Sequence, residues 1–459
     1  MEKEKIHEIV EKQRSFYNTG KTLNVGYRKA ALRKLRKAIK KNEDRLAAAL
    51  KADLGKSATE SFMCEIGITY SEISYMLRHV MFYAAGRPAI TPLAQFHSTS
   101  YVRPMPHGVT LIMSPWNYPV LLTLEPLVDA IAAGNTAIIK PSAYSPYTSD
   151  VIKELIEETF DPEFVAVITG GREENTYLLD EKFDHIFFTG SKEVGRLVME
   201  KASKHLCPVT LELGGKSPCI VGKTADLKLA ARRIVFGKLL NCGQTCVAPD
   251  YVLCHPEVKE AFIDALIEEI KIQYGENYLE NEDYGKIVTK KHFDRITGLI
   301  ENRKVVYGGE SNEETLQIEP TIMDRVTWDD PIMQEEIFGP VLPILEYKNR
   351  KEIIREINAR PTPLALYVFT EEKEFAKDIT KRCAFGGGCI NDTIIHIATS
   401  NMGFGGKGES GMGAYHGKAG FDEFSSRKSI VDKKTWLDLP MRYQPYNYFN
   451  EKLLKMFLR

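Results

Sequence analysis

The sequence has no run of apolar residues approaching the ~18 that a bilayer-spanning helix needs, so no transmembrane segment is expected. It has almost no charge excess: 61 Lys+Arg stand against 62 Asp+Glu, for a formal net charge of -1. That removes the bulk electrostatic case for nucleic acid as a partner. No signal peptide is recognisable, and the eight cysteines, at 64, 207, 219, 242, 246, 254, 383 and 389, are scattered through the chain. Scattered cysteines in a long chain predict reduced thiols in a cytoplasm rather than a disulfide framework. There is no internal repeat and no low-complexity tract, which excludes solenoids and linker-rich arrays.

What is present is ordinary in bulk and specific in detail. The chain has 459 residues, more than the ~250–300 at which a single core stops growing, so two or more domains are expected. Residues 3 to about 52, and a second stretch from Glu60 to Ala84, show apolar residues at helical spacing. Gly55 and Gly86-Arg87-Pro88 end them. The densest basic run, Arg28 to Lys41, falls on such a helix and reads as a solvated face. Ile90–Pro106 is polar and partly alternating, a hairpin-like excursion.

From His107 short apolar strands alternate with helices: Val109–Met113, Thr136–Ile139, Phe164–Ile168, His185–Phe188 and Val209–Leu213 are the predicted strands. Such alternation predicts an α/β fold with a doubly wound parallel sheet that binds ligands beyond the carboxyl ends of its strands. A second alternating region starts at Ser217–Val221 and includes Tyr251–Cys254, Leu342–Leu345, Ala365–Phe369 and Gly388–Asn391, with a domain change near Leu211–Gly215. Phe404–Gly417 reads as a long glycine-rich loop and Phe421–Val431 as a final strand. The tail from Tyr446 to Arg459 mixes aromatics with Lys452 and Lys455, and is read as packing on the protein or a partner subunit in preference to touching a membrane.

Six stretches can bear chemistry. Phe188-Thr189-Gly190-Ser191 places a tight turn and an N-cap at a helix start, where free N–H groups suit phosphate; the glycine fingerprint of dinucleotide sites is absent, and an ordinary strand–turn–helix is the alternative. Lys140-Pro141-Ser142 ends a strand with a lysine that reaches ribose or phosphate, or is simply exposed. Pro115-Trp116-Asn117-Tyr118-Pro119 holds an amide between two prolines, suited to an oxyanion or to an Asx turn. Leu211-Glu212-Leu213-Gly214-Gly215-Lys216 places a glutamate between leucines, a general base if buried and an edge residue if not. Asn241-Cys242-Gly243-Gln244-Thr245-Cys246 offers a thiol in an irregular turn. A metal site there is disfavoured, because no further Cys or His follows at ligand spacing. Glu336-Ile337-Phe338-Gly339-Pro340 joins a carboxylate to an aromatic; a solvated loop carboxylate is the plain alternative.

Together, in this order, these motifs resemble the aldehyde dehydrogenase superfamily over nearly the whole chain, to Val431. Asn241–Tyr251 and Ser410–Lys418 are similar to its class 3 branch. The resemblance implies two doubly wound parallel-sheet domains, a Rossmann-like cofactor domain and a catalytic domain, plus a small β oligomerisation domain. The segments are 1–89 and 106–210 for NAD(P) binding, 211–396 for catalysis, 90–105 and 397–435 for oligomerisation, and 436–459 as a tail. It implies Cys246 as nucleophile, Glu212 as general base and Asn117 as oxyanion donor, loss of one such donor costing ~10²–10³ in turnover. Lys140, Ser142, Gly190, Ser191, Glu336 and Phe338 are the implied cofactor contacts, with NAD and NADP as cofactors, no metal, a small aldehyde as substrate and a homodimer as assembly. Cys242 is expected to be a packing or tunnel-wall residue. Where many members carry glutamate three residues after the lysine, this chain has Ala143, which predicts acceptance of NADP. Two rival readings stand beside this one: a CoA-acylating dehydrogenase, which generally does not need the glutamate base, and a non-catalytic protein on the same fold. Tyr70, Trp116 and Phe404 are candidates for a tunnel wall suited to medium-chain aliphatic or aromatic aldehydes.

Overall fold

The computed structural model describes residues 1–457; Leu458 and Arg459, the latter counted in the basic tail above, lie outside the described residues. Two mainly parallel sheets, each with one antiparallel edge strand, form the centre. In the first, the five parallel strands lie in the order Val165–Val167, Thr136–Lys140, Val109–Met113, His185–Gly190 and Val209–Leu213. The chain starts in the middle, winds outward one way, then returns to wind the other way. This leaves a switch point between Val109–Met113 and His185–Gly190, where the crevice of an open α/β sheet forms. The central strands are buried throughout, as continuous Val/Ile/Leu runs require when helices cover both faces.

A sixth strand, Gly411–Met412, pairs antiparallel with Val209–Leu213, setting Gly411 opposite Glu212. The predicted Phe404–Gly417 loop therefore caps the sheet. Any larger residue at Gly411 would collide with the sheet, since a Cβ there would lie 2.4 Å from the Leu211 carbonyl oxygen.

The second sheet has seven strands, ordered Val305–Tyr307, Thr321–Met323, Val341–Glu346, Tyr251–Cys254, Pro218–Val221, Ala365–Phe369 and Gly387–Ile390. Its first two, short and polar-flanked, were not visible as periodic runs. A third sheet joins Arg87–Ala89, Ser98–Pro106 and Ser425–Lys433, so the polar excursion pairs with a strand more than 300 residues later in the chain. That final strand starts later than expected. Phe421 and Phe424 are buried at 1% and 0% because residues Gly417–Glu423 form a helix that docks on the core before the strand begins. The tail contains the helix Tyr448–Phe457. Among the described residues no helix is long and apolar enough to cross a membrane.

The two large sheets present opposite ends to the space between them. The first offers its carboxyl ends, at Pro115 and Ser191. The second offers its amino ends, at Gly215-Lys216, Tyr251 and Pro363-Leu364. The carboxyl-end rule thus places the ligand crevice for the first sheet only.

Candidate active site

The loop before Tyr251–Cys254 is built from residues that ordinary backbone avoids. Asn241, Cys242 and Gly243 follow one another at φ +52°, +52° and +74°, the left-handed region that penalises side chains. Side chains hold the loop there. Gln244 Nε2 donates to the carbonyls of Asn241 and Lys286, both at 3.0 Å, and its Oε1 accepts from the Val288 N–H at 3.0 Å. Glu60 accepts the Asn241 N–H at 2.8 Å. Gly243 is required by proximity as well as by φ: a Cβ would lie 2.2 Å from the Gly339 carbonyl oxygen. The outcome is that Cys246 is partly exposed while Cys242 is buried at 2%.

Cys246 lines a cleft of about 800 Å³ together with Asn117, Gly190, Ser191, Glu212, Glu336 and Phe338. Seven of the nine residues singled out from the sequence therefore meet in one space. The two others, Lys140 and Ser142, do not line it. Lys140 is 4% exposed, and its Nζ donates to the carbonyls of Pro141 at 2.9 Å and Gly170 at 2.7 Å. Burial brings its ammonium pKa down to about 8. Ser142 Oγ accepts from the Tyr144 N–H at 3.2 Å. Lys140 ends its strand and Ser142 lies two residues on, next to the cleft, since the Ser114 N–H donates to the Lys140 carbonyl at 3.1 Å.

Asn117 is 3% exposed. Its Nδ2 donates one hydrogen bond to the Gln244 carbonyl at 3.0 Å, which turns the amide toward the cysteine loop. Its own carbonyl accepts from Lys56 Nζ and Asn241 Nδ2, both at 2.8 Å. Lys56 and Glu65 form a fully buried ion pair at 2.6 Å, and Glu65 Oε2 also accepts the Val120 N–H at 2.8 Å. This support lies in the N-terminal helical region, where the sequence offered only amphipathic periodicity.

Glu212 is buried, 3% exposed, and its strand is not an edge, because Gly411–Met412 pairs beyond it. Neither carboxylate oxygen has a hydrogen-bond partner. Burial, reinforced by Glu423, raises its pKa well above the ordinary value. Glu336 lies against the backbone of Gly214, where an added Cβ would fall 2.0 Å from its Oε2. Burial and then the Asp250 charge push its carboxyl up to about 8. The Cys246 thiol is raised in turn by burial, then by Glu336 and Glu212.

The Glu336 segment is fastened by residues outside the expected set. Lys216 Nζ donates to the carbonyls of Ile332 at 2.9 Å and Glu335 at 2.7 Å. Arg295 donates to those of Glu336 at 3.2 Å and Ile337 at 2.7 Å. Asp250 accepts the Ile337 N–H at 3.0 Å. Lys216 and Asp250 stood inside quoted motifs, whereas Arg295 carried no sequence signal. Phe338, at φ +52°, meets Trp116 edge-on at 5.4 Å. Trp116 and Phe404 line the cleft; Tyr70 instead donates its hydroxyl to Glu43 at 2.9 Å.

On the first-sheet side, Ser191 caps the helix Lys192–Ser203, its Oγ accepting the Val194 N–H at 3.4 Å. Ala143 is exposed.

A family model described as "Aldehyde dehydrogenase family" matches residues 1–430. The chain is 48% identical over 435 residues to a 4,4'-diaponeurosporen-aldehyde dehydrogenase of Staphylococcus aureus, covering 94% of this chain and 95% of that protein. It is 44% identical over 444 residues to an aldehyde dehydrogenase of Canis lupus familiaris described as dimeric and NADP-preferring, covering 96% and 98%. Among solved structures, a substrate-bound Staphylococcus aureus AldH superposes with a TM-score of 0.97 at 46% identity, covering 99% of each chain.

Proposed function

Because this chain belongs to the aldehyde dehydrogenase family, we propose that it oxidises an aldehyde to a carboxylic acid with NAD(P)⁺ through a covalent intermediate on Cys246. The observation that carries this reading is the convergence in one cleft of a partly exposed thiol, two carboxylates of raised pKa and a fixed amide. The thiol rests protonated, so a cleft carboxylate must take its proton as sulfur attacks the aldehyde carbon. One Asn117 N–H is committed to the Gln244 carbonyl. This orients the other, with the Cys246 backbone N–H, toward the oxygen that becomes negative as the C–S bond forms.

The cleft suits a dinucleotide. The capped helix start at Ser191 offers N–H groups to phosphate, Phe338 supplies a flat apolar surface, and Glu336 rests where only glycine at 214 leaves room. When bound, NAD(P)⁺ supplies the acceptor that withdraws the two electrons and the aldehyde hydrogen, so that Cys246 is left carrying a thioester. Glu212 then takes a proton from water. The water oxygen bonds to the acyl carbon, the C–S bond breaks, and the carboxylic acid leaves. With Ala143 exposed at the turn after Lys140, that position carries no carboxylate to repel a 2′-phosphate, which supports NADP acceptance beside NAD. Lys140 and Ser142 serve this cofactor half from behind the cleft wall.

The third sheet, made from two distant segments, is the proposed dimerisation element. The first and second sheets correspond to the cofactor and catalytic domains divided near 211, and a reduced cytoplasm suits the free thiols. The test is product analysis with an aldehyde and NAD(P)⁺, with and without CoA. Free acid formed in step with NAD(P)H, unaffected by CoA, is the expected result. Turnover only with CoA, giving an acyl-CoA, would select the acylating reading.

A further inference from the structure

Four ionisable side chains are buried together outside the cleft, where three helices meet. Glu72 comes from Gly67–Ala84, Glu125 and Asp129 lie one turn apart on Leu121–Ala133, and His416 directly precedes Gly417–Glu423. The three acids are 0% exposed and His416 is 3% exposed. A carboxylate oxygen of Glu72, one of Glu125 and a ring nitrogen of His416 all lie within 4.8 Å of one another. His416 Nδ1 stands 2.5 Å from Glu125 Oε1, and Glu72 Oε1 accepts the Gly417 N–H at 2.8 Å.

The remaining donor capacity is unspent. Glu72 Oε2 and Glu125 Oε2 have no hydrogen-bond partner. Asp129 lies beside Glu72 and the His416 backbone, at the border of the group. It packs over Gly420, where an added Cβ would lie 1.9 Å from its Oδ2. Among the described residues, the one ion pair any of these acids makes is Glu125 with His416. Three carboxylates buried beside one imidazole are costly unless something neutralises them. Burial raises the pKa of Glu125 and of Asp129. Burial works against the His416 imidazolium too, but the Glu125 carboxylate beside it holds its pKa above the usual value. A small cavity of about 150 Å³, lined by Phe62, Ser71, Ser400, Glu125 and His416, leads to the group.

Carboxylate oxygens combined with one imidazole nitrogen suit a divalent first-row ion. Calcium and magnesium take all-oxygen sets, and copper(I) takes sulfur. We propose that Glu72, Glu125, Asp129 and His416 form a buried site for a divalent first-row transition-metal ion. The ion fastens the His416–Gly417 turn to the two long helices. That turn follows Tyr415, which lines the catalytic cleft and exchanges backbone hydrogen bonds with Phe404 at 2.9 and 2.8 Å.

The test uses the full chain, stripped with EDTA, dialysed and titrated with Mn²⁺, with free ion read by electron paramagnetic resonance and bound metal by elemental analysis; Zn²⁺ is the second probe. About one ion per chain is expected, with a rise in melting temperature on binding. Glu125→Gln and Asp129→Asn should each weaken binding by more than about 10-fold, with circular dichroism showing that they fold. His416→Gln is a further variant should either fail to fold. Cys246→Ala should bind like the parent chain. No bound ion at millimolar Mn²⁺ or Zn²⁺ would overturn the proposal. So would binding that survives Glu125→Gln and Asp129→Asn or is lost in Cys246→Ala.

Discussion

Cys246, Glu212 and Glu336 face a common space, and each is held toward its uncharged form. Burial is the first cause for all three; a neighbouring carboxylate adds to it, Glu423 for Glu212, Asp250 for Glu336, and Glu336 with Glu212 for Cys246. A neutral thiol beside neutral acids is inert, so turnover should climb with pH as the carboxyls ionise. The same shift has a stability consequence. Glu336 keeps its proton in the folded chain up to about 8, against an ordinary value of 4.5. Between those values the folded state binds more protons than the unfolded state, so stability falls as pH rises. Glu336→Gln removes that loss. Its melting temperature relative to the parent chain should therefore rise from about pH 5 to about pH 8 and level off above; a difference independent of pH would show that Glu336 does not titrate there. Position 212 was legible in sequence as a carboxylate between leucines. That its strand is not an edge was not, because the pairing strand Gly411–Met412 lies some 200 residues on.

At the scale of elements, the cysteine loop is a strained turn wedged against the Glu336 segment. Gly243→Ala would place a methyl group against the Gly339 carbonyl at a left-handed φ. A loss of at least about 1–3 kcal/mol is expected, read as a lowered denaturation midpoint together with reduced turnover. The turn was recognisable from glycine and proline near two cysteines. Which thiol it exposes was not readable from spacing, because the selection is made by Gln244, Lys286 and Glu60 from three separate regions. Long parallel strands such as Val109–Met113, Val209–Leu213 and Ala365–Phe369 were found at their observed limits, since buried apolar runs announce themselves. Short strands such as Thr321–Met323 were missed, having too few residues to show a period. The end of the helix Gly417–Glu423 reads as strand in sequence because Phe421 within it and Phe424 just after it answer to either pattern when the run is short.

At the scale of the molecule, two sheets of opposite orientation close on one cleft, and a third sheet stands apart from them. Val431 in that third sheet is 51% exposed, and Ile90, just past its strand Arg87–Ala89, is 97% exposed on the monomer, apolar surface that a second copy would cover in the proposed homodimer. Val431→Asp should shift light-scattering mass from dimer toward monomer while leaving the far-ultraviolet spectrum unchanged; an unaltered mass would place the dimer contact elsewhere. The sheet's two segments are far apart in sequence, yet the final strand reads as returning to the polar excursion, and Ser425–Lys433 pairs with Ser98–Pro106. The cleft itself rests on the assignment of Cys246. Glu212→Gln should form the thioester and fail to hydrolyse it, so the most direct measurement is mass spectrometry of that variant, quenched in acid after mixing with aldehyde and NAD(P)⁺ and then digested. The account predicts an acyl group on the peptide containing Cys246, at that sulfur. An acyl group on Cys242 or another residue, or full aldehyde turnover by Cys246→Ala, would contradict it.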